Sequence, residues 1–297
     1  MTYSIVARDE ATGELGCAVQ SHFFSVGPIV PWAEAGVGVV ATQAQVEVSY
    51  GPRGLELLRA GRAPTDALAE LLAEDPYAEI RQVAMVDATG RTAVHTGARC
   101  IREAGDRRGP GVSVQANMMS QDTVPDAMLA ACQESSGDLV DRLLAALDAA
   151  QAEGGDIRGR QSAAILVVRG ERSDAPWHDR LVDLRVDDHP EPLAELRRLV
   201  RVRRAYDAVD RAELAAVRGD TDAATREYAA ALDGAGSVEP VFWYGVSLAA
   251  SGKVGQARTV LAPVFAVHDG WAELLRRLPE AGMFPEDPAL LARLLAT

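Results

Sequence analysis

Threonine 2, directly behind Met1 in Met1-Thr-Tyr-Ser-Ile-Val-Ala-Arg8, is the residue whose chemistry depends most on its place in the chain. A side chain as small as threonine permits removal of the initiator methionine, which would set a free α-amine beside a hydroxyl. Such an amine has a pKa of roughly 7.7–8.0, so near neutrality part of it is unprotonated and can take the proton of its own hydroxyl. One residue then supplies nucleophile and general base. The plainer reading is that Thr2 opens a β-strand and does no chemistry.

Other polar residues stand where strands end. Ser21 and His22 precede the apolar pair Phe23-Phe24 and could line a pocket. Gln43, just before a loop, could help hold an oxyanion, and Asn117 could orient a substrate. Asp156, Arg158, Arg160, Gln161 and Ser162 form a polar turn ahead of a buried strand, where an Asp–Arg pair either contacts substrate or only fixes the turn. Asp187, Asp188 and His189 have the composition of metal ligands. Neighbours on an extended chain point to opposite faces, however, and a turn before Pro190 explains them, so no metal is expected. No phosphate-binding loop, nucleophile elbow or HExxH motif is present, and no cofactor is expected.

Composition narrows the classes. Of the formal net charge of −13, −11 falls on Met1–His189, which disfavours a nucleic-acid partner, since phosphate recognition needs clustered positive charge. Among the 30 basic residues only Lys253 is a lysine, so no lysine can serve chemistry earlier in the chain. Cys17, Cys100 and Cys132 lie far apart, outside any CxxC pattern, and are expected as buried small hydrophobes. No apolar run reaches the ~20 residues of a membrane span, and no signal-like segment opens the sequence, so a cytoplasmic protein is expected.

Period-two patterning predicts a hairpin from Tyr3–Arg8 and Leu15–Val19, then a strand over Val37–Gln43. Helical spacing follows over Gly54–Ala60 and Pro64–Ala73. A second hairpin is predicted from Gln82–Val86 and Thr92–Thr96, with a strand over Gly111–Asn117. Two more helices cover Val124–Glu134 and Gly137–Ala152, and strands at Ser162–Val168 and Leu181–Val186 close the region. Helix pairs alternating with hairpins predict antiparallel α+β layers rather than a doubly wound parallel sheet. After Asp187–Pro192 strand signals cease. Leu214-Ala-Ala recurs at Leu248 and Ala223 at Ala257, a 34-residue interval like that of tetratricopeptide repeats, with Gly219 and Gly252 one position out of phase. The expected domains are residues 1–190, α+β, and 191–297, all-α.

The segments Thr2–Asp9, Ser21–Gly27, Val30–Gly38, Ala41–Ala44, Ser49–Gly54, Gly155–Ala163 and Asp183–Pro190 together resemble the bacterial domain-of-unknown-function family numbered 1028, placed in the N-terminal-nucleophile hydrolase superfamily. The resemblance implies a four-layer αββα sandwich and amide hydrolysis. It puts Thr2 at the nucleophile position, and Ser162 where late serines of the superfamily approach it. Proteasome-like members place a lysine near the nucleophile, and this region has none. Gln115-Ala-Asn117 and Gln45-Val-Glu47 also depart from the family pattern.

The reading is therefore an amidohydrolase or peptidase acting on a small amide or peptide bond. Thr2, Gln43 and Ser162 are its catalytic candidates; Ser21, His22, Asn117, Asp156 and Arg158 are its substrate-binding candidates. The alternative is an inactive scaffold whose helical domain binds a protein or peptidoglycan fragment. Either form is expected to be a homo-oligomer.

Overall fold

The computed structural model describes residues 2–232 and 236–296, so Met1 lies outside the described residues. The chain forms two compact units, Met1–Arg197 and Arg198–Thr297.

In the first unit, β1 (Thr2–Arg8) and β2 (Leu15–Ser21) make a hairpin whose turn is closed by Asp9, which accepts the N–H groups of Ala11 and Thr12 at 2.9 Å. Next come β3 (Pro31–Glu34), β4 (Gly38–Ala44), α1 (Tyr50–Arg59), α2 (Pro64–Glu74), β5 (Arg81–Asp87), β6 (Thr92–Thr96), β7 (Gly105–Gly109) and β8 (Val112–Asn117). The helices α3 (Val124–Glu134) and α4 (Leu139–Ala152) precede β9 (Ser162–Val168) and β10 (Arg180–Val186). The short edge strands β3 and β7 escaped the sequence pattern, because four or five residues with charges among them show no clear period.

Two antiparallel sheets result, one ordered β10-β9-β2-β1-β8-β7 and the other β3-β4-β5-β6. Helices α1 and α2 pack on the smaller sheet, α3 and α4 on the larger, and β1, β2 and β8 meet β4 and β5 between the layers. Strand alternation explains this sorting. Tyr3, Ile5 and Ala7 turn toward the helices, whereas Val6, Cys17, Val19, Leu166, Val39, Ala41, Ala84 and Val86 fill the gap between the sheets. The other face of the small sheet buries Val40, Val83 and Met85 under Leu55, Leu58, Leu68 and Leu71 of its helices.

In the second unit, α6 (Thr221–Leu232), α7 (Val238–Ala250), α8 (Val254–Val267), α9 (Gly270–Arg277) and α10 (Pro288–Leu295) follow α5 (Pro192–Val217). Ala205, Ala208, Val209 and Ala212 of α5 pack with Tyr228 and Ala231 of α6. Phe242, Val246, Leu261, Val264, Leu275 and Leu294 form the core of the later helices. Gly219 and Gly252, both with positive φ, close the turns ahead of α6 and α8. The helix starts thus follow the glycine spacing, not the Leu-Ala-Ala spacing. Among the described residues no helix is long and apolar enough to cross a membrane.

Two consequences can be measured. A Cβ on Gly51 would fall 2.3 Å from the Trp32 ring, so Gly51→Ala must push α1 off β3. The expected loss is about 1–3 kcal/mol in denaturant unfolding, and an unchanged midpoint would contradict this packing. Separately, the Arg81 guanidinium, 2.8 Å from Asp75, holds that carboxyl below its usual pKa against the opposing effect of burial. Asp75 therefore contributes stability that is present above the unfolded value of about 3.9 and is lost as pH falls through the lower native value. Asp75→Asn should flatten the acid limb of the stability–pH curve while lowering stability at pH 7.

Candidate functional site

Two rows of polar side chains face each other at one end of the gap between the sheets. On the larger sheet the pairing sets Thr2 opposite Asn117 on one side and beside Ser21 on the other, with Ser162 opposite Ser21. On the smaller sheet Gln43 pairs with Gln82 and Gln82 with Thr96. All but Thr96 are buried. Side chains directly opposite in antiparallel strands share a face, so seven residues from seven strands arrive here as a result of register.

A relay of hydrogen bonds satisfies these groups. Gln115 Nε2 donates to Ser4 Oγ at 2.6 Å, and Ser4 Oγ donates to Gln43 Oε1 at 2.6 Å. Gln43 Nε2 donates to Gln82 Oε1 at 2.7 Å and lies 3.2 Å from the Thr2 and Gln115 carbonyls. Asn117 Nδ2 reaches Gln82 Oε1 at 2.9 Å and the Thr2 carbonyl at 3.3 Å. Gln82 Nε2 in turn donates across the gap to the Ala116 carbonyl at 2.9 Å and to Thr96 Oγ1 at 3.0 Å. Two side-chain amides thus hold the first peptide plane, while Thr2 Oγ1 donates to Ser21 Oγ at 3.1 Å.

Thr2, Ser21 and Asn117 come together as expected. Gln43 lies close, but both hydrogens of its amide are committed to acceptors around Thr2, so its side chain positions Thr2 and has none left for an oxyanion. Ser162 shares the row but turns to the neighbouring loop, donating to the Phe23 carbonyl at 2.6 Å and accepting from Val26 N–H at 3.1 Å. Asp156, buried, accepts from His22 N–H at 3.1 Å, from Arg158 N–H at 3.0 Å and from the Arg158 guanidinium at 2.9 Å. It ties the loop after β2 to the loop before β9, and the His22 ring sits 3.3 Å from the Arg160 carbonyl. Asp187 and Asp188 brace the same region, accepting from Ser25 Oγ at 2.8 Å and Gln161 Nε2 at 3.2 Å. Cys17 and Cys132 are buried, but Cys100 is not. It lines an open cleft of about 460 Å³ with Thr96, Arg102 and Glu103, and its thiol donates to the Arg81 carbonyl at 3.4 Å. It sits in the loop between β6 and β7, at the edge of that open cleft.

On the helix side of the same strand end, the Tyr3 hydroxyl meets Gln20, and Gln151 of α4 at 3.1 Å. Burial, with the nearby Asp156 charge, pushes the phenol well above its usual pKa against the pull of Arg160. A phenol has one proton and cannot donate to both amide oxygens. Turning the Gln20 amide end for end lets Nε2 donate to Tyr3 and Tyr3 donate to Gln151, which gives the otherwise unpartnered Gln20 nitrogen a bond.

Backbone strain gathers here too. Among the described residues, the non-glycine positions with positive φ are Ser25, Ala44, Glu103 and Met118, at 53°, 68°, 53° and 57°. Each lies in a loop or strand end on the Thr2 side of the sandwich. Each such conformation costs roughly 1–2 kcal/mol, and strain of this kind concentrates at working sites. Gln20, Gln82 and Ser4 were not singled out from the sequence, and Gln115 was named only as a departure from the family pattern. For the glutamines the signal was their place near the same end of each of several apolar strands.

The profile of a family of unknown function, DUF1028, matches residues 2–196. A crystal structure of a Silicibacter pomeroyi protein assigned to that family superposes with a TM-score of 0.61 at 33% identity, covering 67% of this chain and 84% of that one. Anbu, an ancestral β-subunit from Yersinia bercovieri, aligns with a TM-score of 0.34 at 10% identity over 66% of this chain and 91% of that one. No curated protein matches the chain.

Gln82 joins the two sheets, so Gln82→Leu should destabilise the first unit by about 1–3 kcal/mol through the polar groups left unpaired. Gln45→Leu, at an exposed position in the loop after β4, is the control with little effect. Equal unfolding midpoints for the two variants would show that the relay contributes nothing.

Proposed function

Since the chain belongs to the family of unknown function DUF1028, we propose that its first unit is an N-terminal-nucleophile hydrolase of αββα architecture, cleaving a small amide or peptide bond through Thr2. The observation that carries this reading is the fixing of Thr2. It opens a central strand, its carbonyl is gripped by Gln43 and Asn117, and its hydroxyl meets Ser21. A strand that merely began at residue 2 would not need two buried amides to orient its first carbonyl.

The chemistry follows from one residue. With Met1 removed, the Thr2 α-amine takes the proton from Oγ1 as that oxygen bonds to the substrate carbonyl carbon. Backbone N–H groups near Gln43 hold the oxyanion. The carbon–nitrogen bond then breaks, the α-ammonium returns the proton to the leaving amine, and an ester on Thr2 remains. Water, deprotonated by the same amine, attacks the ester and releases the acid. Because this scheme draws its base from the chain terminus, it works without a lysine. Ser162, Asp156 and Arg158 keep the surrounding loops in place, and His22 lies at the rim.

The second unit is, on this proposal, a tetratricopeptide-like partner-binding array. A cavity of about 790 Å³ between α8, α9 and α10, floored by Phe265, Leu294 and Leu295, supports that role.

The intact mass of the native protein should correspond to a chain beginning at Thr2. Thr2→Ala should abolish turnover of an amide panel while costing only about 0.5–1.5 kcal/mol for the lost hydroxyl bond. With an amine base, kcat/KM should rise with pH through about 7.7–8.0. Retained Met1, or equal activity in Thr2→Ala, rejects the hydrolase and leaves a scaffold.

A further inference from the structure

The first unit exposes seven large apolar side chains among the described residues, and six of them lie at the Thr2 end: Phe23, Phe24, Val48, Tyr77, Ile101 and Ile157. Trp177 is the exception, near the far end of β9. Phe23, Phe24, Ile101 and Ile157 are exposed by 51%, 63%, 53% and 60%. Scattered exposed hydrophobes need no explanation, but a cluster of them around one point marks a surface that something covers.

Hydrogen bonds tie this cluster to Thr2. The Ile101 carbonyl accepts from Met118 N–H at 3.2 Å, and Ile157 N–H donates to the Met118 carbonyl at 3.3 Å. Met118 follows Asn117, the strand partner of Thr2. On the opposite flank Ser162 holds the Phe23 carbonyl, and Asp156 joins the Phe23 loop to the Ile157 loop through His22 N–H. Ser25, just beyond Phe24, is pinned to Asp187 through its N–H at 2.9 Å and its hydroxyl at 2.8 Å. These loops are braced, so their apolar side chains are presented in fixed positions, which reduces the ordering cost of binding.

From this geometry we infer that Phe23, Phe24, Ile101 and Ile157 form an apolar collar that binds large hydrophobic groups flanking the scissile amide. The substrate class is an apolar peptide or acyl amide. The inference rests on the Thr2 reading and narrows it. The collar flanks Thr2 on the β8 side and on the β2–β9 side, so an occupant that touches both flanks spans the end of β1 where Thr2 sits. A substrate held for attack by Thr2 meets that requirement, whereas a second copy seated there would cover Thr2 and bar the substrate.

Binding can be separated from turnover by working in the full-length Thr2→Ala protein. Titration calorimetry would compare acetyl-phenylalanyl-leucinamide with acetyl-glycyl-glycinamide. The apolar probe should bind at least tenfold more tightly, and the triple substitution Phe23→Ser, Phe24→Ser, Ile157→Ser should remove that preference. Ile101→Ser, in the loop between β6 and β7, should reduce it independently. Since all four side chains are more than half exposed, thermal unfolding should stay near that of the parent. Equal affinity for the two probes overturns the collar, as does a preference that survives the substitutions. A fall in sedimentation mass on substitution, with probe affinity unchanged, assigns the surface to a second copy and also overturns it. If the wild-type protein proves inactive, the hydrolase reading fails while the probe comparison still decides whether the collar binds apolar groups.

Discussion

Burying amides between two β-sheets is the constraint on which the rest of this structure depends. A side-chain amide that leaves water without partners costs more than its hydrogen bonds return, so Gln43, Gln82, Gln115 and Asn117 can share one interior only if each is paired. The relay from Gln115 through Ser4 and Gln43 to Gln82 meets that demand and crosses from sheet to sheet. Farther along the same gap the filling is Val6, Cys17, Val19, Ala41 and Val86, which pack without direction. One end of the sandwich is therefore fixed in register and angle by directional bonds, and the other by volume.

That division accounts for the position of the candidate site. An apolar interface tolerates small shifts of one sheet over the other, but a chain of paired amides does not. Thr2 sits at the directional end, and its backbone carbonyl is one of the acceptors that the relay uses. The loops at that end can carry left-handed conformations at Ser25, Ala44, Glu103 and Met118 because the strand ends beneath them are held. Loop strain and interior bonding thus support each other, and the apolar groups on those loops inherit their fixed positions.

Much of the first unit was legible in the sequence. The alternation of Tyr3, Ile5 and Ala7, the helical spacing of Leu68, Leu71 and Leu72, and the paired helices all recur in the structure within a few residues. Thr2, Ser21 and Asn117 could be nominated because strand ends are where polar side chains stand out against apolar runs. The commitments of Gln43 and Ser162 were not legible, since each depends on a partner distant in sequence: Gln82 and Gln115 for the one, the Phe23 carbonyl for the other. Cys100 was misjudged for a related reason. A cysteine in a mixed polar loop resembles a buried one until the loop is seen to border an open cleft. In the second unit the glycines marked the turns correctly because positive φ is a local requirement, whereas matching alanines reported only composition.

The flanks of the larger sheet have a consequence of their own. Its two edge strands are β10, with Arg180, Asp183 and Arg185, and β7, with Asp106, Arg107 and Arg108. Another strand could add to either edge only by stripping water from those charges, which is how sheet edges are kept from templating fibres. Sideways growth of the sheet is thereby closed, at both margins, to neighbouring copies in a crowded solution. Encounters between copies through the margins of the larger sheet are thus disfavoured.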